Sequence, residues 1–124
     1  MTNEVSGTVS VVDIAGSRVI DTIVMPEGSR PMGIAVTRDG KRVYVSNGRG
    51  GTVSVIDPAT NTVTLTVEVG TRPWGIALSP DEQKLYTANG PANDVSVVNT
   101  ATMALIRKIP AGSFPWGVAI SGRP

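Results

Sequence analysis

Arg30-Pro31-Met32-Gly33-Ile34-Ala35 returns as Arg72-Pro73-Trp74-Gly75-Ile76-Ala77 and again as Phe114-Pro115-Trp116-Gly117-Val118-Ala119, at a spacing of 42 residues each time. A segment that recurs at a fixed period of this size marks a supersecondary unit that stacks on copies of itself, because one unit alone cannot bury its apolar face. A second motif runs in phase. Gly7-Thr8-Val9-Ser10-Val11-Val12-Asp13 recurs as Gly51-Thr52-Val53-Ser54-Val55-Ile56-Asp57 and, more loosely, as Asp94-Val95-Ser96-Val97-Val98-Asn99. A third motif, Tyr44-Val45-Ser46-Asn47-Gly48, is matched by Tyr86-Thr87-Ala88-Asn89-Gly90 and, at the start, by Met1-Thr2-Asn3.

Within one period the pattern resolves into four short strands. Ile34-Ala35-Val36-Thr37 is a small apolar run, Arg38-Asp39-Gly40-Lys41 supplies turn chemistry, and Arg42-Val43-Tyr44-Val45-Ser46 alternates as a half-buried strand should. A Gly-rich loop from Asn47 to Gly51 leads into Thr52–Asp57, and Pro58-Ala59-Thr60-Asn61 turns the chain into Thr62–Val69. No stretch carries helical periodicity. A four-stranded meander repeated at this period predicts an all-β chain in which each unit is one blade of a β-propeller.

The Tyr-Val-Ser-Asn, Gly-Thr-Val-Ser-Val-Ile-Asp and Arg-Pro-Trp-Gly-Ile-Ala-Leu-Ser-Pro-Asp segments resemble the repeat of the YVTN-type β-propellers. The resemblance covers nearly the whole chain. It implies a disc of radial blades around a central channel and an extracytoplasmic or cell-surface location. It implies no single activity, since such proteins range from surface-layer modules to parts of redox proteins, and neighbouring propellers include metal-dependent lactonases and phosphotriesterases. A fold alone does not choose among these.

Composition removes several classes of chemistry. Eleven Lys and Arg against ten Asp and Glu leave a net charge of +1 with the signs interspersed, which gives no electrostatic footprint for nucleic acid. Aromatic residues, at 4%, are too few for a single-stranded nucleic-acid platform. No apolar run approaches the roughly 20 residues of a membrane-spanning helix, and no signal-peptide pattern opens the chain. Cysteine is absent, which excludes disulfides, zinc-thiolate sites and thiol nucleophiles. Histidine is absent too, which removes the Ser-His-Asp relay, imidazole metal ligands and the usual general base near neutral pH.

With strand A nearest the channel and D outermost, residues 1–28 hold the end of B plus C and D, 29–70 and 71–112 are full blades, and 113–124 hold a lone strand A, read at Trp116–Ser121. The family closes a ring of about seven blades, whereas about three are present here. The two incomplete ends match in phase. The ring is therefore expected to close by homo-oligomerisation, two copies giving six blades and three copies nine. The alternative is that the sequence is a fragment of a longer protein.

In this topology the B–C loops and the D-to-A connections share one face, here called the top. It should gather Asn3, Asn47 and Asn89, Arg30 and Arg72, the bulky Met32, Trp74 and Trp116, and the irregular residues Glu4, Glu27, Arg49 and Asp94. Repeat-phased residues usually serve the blade: the asparagines cap strand ends, and the tryptophans pack between blades or ring the channel mouth. Residues that break the repeat, Glu4, Glu27 and Asp94, are the better functional candidates.

Two functions from different classes follow. In the first, Arg30, Arg72, Trp74 and Trp116 hold a small anionic ligand or a partner, guanidinium being a bidentate fork for carboxylate or phosphate. In the second, Asn3, Asn47, Asn89, Glu4, Glu27 and Asp94 ligate calcium or another hard divalent cation, which polarises a lactone, ester or phosphate ester without histidine. No cofactor is otherwise evident and no catalytic residue is assigned. A structural surface-layer type module is the third expectation.

Overall fold

Alternating Val, Ile and Thr, bracketed by Gly, Pro, Asn and Asp, form the strands expected of them. The computed structural model describes residues 1–122, and among these it contains eleven strands and no helix. The first sheet has the order β1-β2-β3, built from Thr2–Asn3, Thr8–Asp13 and Arg18–Val24. The second runs β4 (Pro31–Val36), β5 (Val43–Asn47), β6 (Thr52–Asp57) and β7 (Thr62–Glu68). The third repeats it with β8 (Pro73–Leu78), β9 (Lys84–Asn89), β10 (Asp94–Asn99) and β11 (Ala104–Pro110). Every neighbouring pair is antiparallel, so each sheet is a meander in chain order. These are propeller blades.

The repeat extends to irregularities. The register between the third and outermost strands slips at Val11/Val12, Val55/Ile56 and Val97/Val98, one bulge per blade at the same phase. A bulge sharpens the right-handed twist locally, which lets a flat meander become a blade. The turn that follows puts Ser17, Asn61 and Met103 at φ of 49, 52 and 52°. Asp57 Oδ1 accepts the Ala59 N–H at 2.9 Å there, and Asn99 Oδ1 does the same for Ala101 at 2.9 Å.

The core lies between blades. Because side chains alternate, Tyr44 faces one neighbour and Val45 the other. Tyr44 joins Val53, Val55, Val69, Leu85, Val98 and Met103 between the second and third blades. Val45 joins Val9, Ile23, Met25 and Ile56 between the first and second. The inner strands approach closely. A Cβ at Gly33 would fall 2.7 Å from the Trp74 carbonyl oxygen, and one at Gly75 would fall 2.6 Å from Gly117 Cα, so both positions need glycine.

Hydrogen bonds cross the same seam. Ser46 Oγ accepts the Gly33 N–H at 2.9 Å and donates to the Trp74 carbonyl at 2.8 Å. Thr2 Oγ1, its phase equivalent, donates to the Met32 carbonyl at 2.7 Å. At the hairpins opposite the top face, Asp39 accepts from the Lys41 N–H and the Thr37 hydroxyl, which hold its carboxyl below the ordinary value. Asp81 is held down in the same way by the Ser79 hydroxyl and the Gln83 N–H.

One expectation is corrected. Residues 116–121, read as a lone inner strand within 113–124, carry no strand. Their neighbour is β8 of the preceding blade, met at the glycine contact between Gly75 and Gly117 rather than by a ladder of hydrogen bonds. Positions 123–124 of that segment lie outside the described residues.

Because Leu85 is fully buried between two blades, Leu85→Ala should destabilise the fold by about 2–5 kcal/mol in urea denaturation. Ile14→Ala, at a side chain 88% exposed, should stay within about 0.5 kcal/mol.

Candidate functional site

The connections between outer and inner strands each pass through a left-handed residue: Arg30, Arg72 and Phe114 have φ of 48, 51 and 52°. For a residue with a Cβ that conformation costs roughly 1–2 kcal/mol, so surrounding bonds must hold it. The Arg30 carbonyl accepts the Gly48 N–H at 2.9 Å, and the Ser29 carbonyl accepts the N–H groups of Arg49 and Gly50, both at 3.2 Å. The Arg30 turn is thereby tied to the loop after β5. Asn93 Oδ1 accepts the Phe114 N–H at 2.9 Å in the third connection.

The Arg30 and Arg72 turns and the loop after β5 converge on a cavity of about 180 Å³ lined by Glu4, Arg30, Met32, Gly48, Arg49, Arg72 and Trp74. Three guanidinium groups face it against one carboxylate, a net of two positive charges. Arg30 Nη1 lies 3.8 Å from Glu4 Oε1, with both side chains about half exposed. A solvated pair at that distance is weak, so Arg30 is only loosely engaged.

Glycine shapes the aromatic wall. A Cβ on Gly90 would fall inside the Trp74 ring, and one on Gly48 would fall 3.0 Å from Met32 Cγ, so each bulky side chain lies over the loop glycine of its blade. Trp116 stacks on Trp74 with centroids 4.1 Å apart and planes at 25°. Of the four residues expected to bind a ligand, Arg30, Arg72 and Trp74 therefore line one cavity, and Trp116 supports it from behind. Arg49 joins them. Its sequence signal was its place in a top-face loop where the next repeat has Pro91.

The six residues expected to hold a cation are not gathered. Asn3 donates through Nδ2 to Thr8 at 3.1 Å and Ser10 at 2.8 Å, and Asn47 to Thr52 at 2.9 Å and Ser54 at 2.8 Å. Asn89 donates to Asp94 at 2.6 Å and Ser96 at 2.8 Å, which also commits Asp94. Each asparagine thus ties two strands within its own blade. Asn47 Oδ1 is buried without a partner among the described residues, because Val45 stands where Thr87 serves Asn89 at 3.0 Å. Glu27 lines an adjoining cavity of about 420 Å³ with Glu4, Ser29 and Arg30. Among the described residues no group of three or more His, Cys, Asp or Glu could hold a metal ion. The donor set does not fit a hard cation, which asks for six or more converging oxygens.

A larger concavity of about 700 Å³ opens on the opposite face, with Lys41, Arg42 and Asp57 on it. Arg42 Nη1 is spent on the Thr100 carbonyl at 3.4 Å and Asp57 on its own turn, so the converging charge lies at the top.

Four-stranded meanders stacked about an inner edge, with a loop-built cavity on one face, define a β-propeller. Residues 1–112 match the family described as "Lactonase, 7-bladed beta-propeller", and the chain belongs to that family. No curated protein matches it. Among solved structures it is similar to hydrazine synthase of Kuenenia stuttgartiensis, with a TM-score of 0.86 and 30% identity over 93% of this chain and 33% of that one. Apo AztD from Citrobacter koseri follows the same fold, with a TM-score of 0.72 and 18% identity over 93% and 32% of the two chains. So does a functionally unknown protein from Desulfotomaculum acetoxidans, at 0.76 and 20% over 92% and 38%. The chain spans about a third of the length of these structures.

Gly90→Ala should push Trp74 off the loop and break the Trp74–Trp116 stack, read as loss of the coupled indole signal in circular dichroism. Gly112→Ala, where a Cβ would meet nothing within 4 Å, should leave the signal intact.

Proposed function

We propose that the chain is a self-associating propeller module that binds a small anionic ligand in the top-face cavity. The observation that carries this reading is the convergence of Arg30 and Arg72, from two outer-to-inner connections, and Arg49, from the loop between β5 and β6, on one space with a single loosely held carboxylate. Blade geometry does not ask for them. Phe114 occupies the same left-handed position as Arg30 and Arg72, and Pro91 stands in the phase of Arg49. The arginines answer to something other than the fold, and guanidinium is suited to carboxylate or phosphate. The cavity is smaller than the roughly 300–1,000 Å³ of drug-sized pockets, which favours a compact ligand.

Self-association is supported by the two flanking blades. Val5 at 88% and Val24 at 76% exposure lie on the first, and Ile106 at 50%, Phe114 at 57% and Trp116 at 66% on or beside the third. Apolar surface gathered on the outer blades of a partial ring favours a contact between copies.

Membership in a lactonase family favours a second reading, hydrolysis of a lactone, ester or phosphate ester. It comes without a ligand set for a cation among the described residues. Turnover of a simple lactone that survives thorough chelation would support a metal-free version of it.

The Arg30→Ala, Arg72→Ala double variant should bind inorganic phosphate at least about tenfold more weakly in calorimetric titration, since a hydrogen bond to a charged group contributes about 1.5–3 kcal/mol. Arg18→Ala, outside the cavity lining, should bind as the parent does. Light scattering on a size-exclusion column should give a dimer or trimer mass, and a folded monomer would refute self-association.

A further inference from the structure

Glu4 is the carboxylate of the cavity, and like the three arginines it is not required by the blade. Its phase equivalents are Gly48 and Gly90, so the loop between second and third strands works with no side chain there. Its carboxylate is poised 3.8 Å from Arg30 Nη1, half exposed, and it lines both the arginine cavity and the adjoining cavity that holds Glu27 and Ser29.

We propose that Glu4 is a resident counter-anion which the ligand displaces from Arg30, and that the ligand is a compact dianion, either a phosphate group or a short dicarboxylate. This rests on the anion-binding reading above and deepens it. With Glu4 in place the lining is short of balance by two negative charges, which one small dianion supplies. Arg49 and Arg72 take one end of such a ligand, and Arg30, released by Glu4, takes the other. The weakness of the Glu4–Arg30 pair makes the exchange facile, and the 420 Å³ cavity beside it offers the carboxylate room to swing away. A retained like charge lowers affinity and hastens release, and its effect grows with the charge of the ligand.

The test is calorimetric titration of the full chain and of Glu4→Gln with malonate, inorganic phosphate and acetate at low ionic strength and mildly alkaline pH. The parent should bind malonate or phosphate more tightly than acetate, and the tighter of the first two identifies the source of the dianion. Glu4→Gln should tighten the dianion by about tenfold and acetate by about threefold, in proportion to charge. Glu4→Asp, which keeps the charge, should stay near the parent. Binding by the parent with no gain in Glu4→Gln would overturn the role of Glu4 while leaving the three-arginine site standing. Equal affinity for acetate and malonate would overturn the dianion. Failure of both proteins to bind any of the three anions, with the fold intact by circular dichroism, would overturn the anion-binding reading itself.

Discussion

The structure depends on how closely one inner strand can approach the next. At Gly33 the space left for a side chain is already filled by the Trp74 carbonyl and Ser46 Oγ, and the hydroxyl that occupies it satisfies a donor on one blade and an acceptor on the next. A larger residue at Gly33 would wedge the blades apart at their narrowest point. The apolar layers farther out, Tyr44 with Leu85 and Val45 with Val9, would then lose the dense packing that gives them their value. The seam and the core are one constraint seen at two radii.

That spacing also builds the cavity. Arg30 and Arg72 lie one blade apart, so their separation follows from the blade pitch, and Arg49 is held beside the Arg30 turn by the bonds that tie its loop to the Ser29 carbonyl. Positive charge is concentrated by scaffold rather than by composition, in a chain whose net charge is only +1. An overall count of charges therefore says nothing against a small anion held locally.

The strands and turns could be read from the sequence because they are set by local chemistry that repeats: Pro before a small apolar run in three units, and Asp-Gly or Pro-Asp at the hairpin and Asn before Gly at the loop in both full blades. The face on which Arg30, Arg72 and Trp74 meet could be read for the same reason, since topology decides which loops share a side. The orientation of Asn3, Asn47 and Asn89 could not. Whether an amide turns its oxygen or its nitrogen inward depends on the hydroxyls of Ser10, Ser54 and Ser96 across the ladder, which a motif on one strand does not contain. The behaviour of residues 116–121 was equally hidden, because a strand is defined by its partner and not by its own apolar pattern.

The left-handed backbone at Arg30 and Arg72 has an evolutionary consequence. A glycine at either position would relieve strain in the blade and at the same moment remove a charge from the cavity. In the anion-binding reading proposed above, stability and binding pull in opposite directions at the same two positions. Phe114 shows the turn persisting without an arginine.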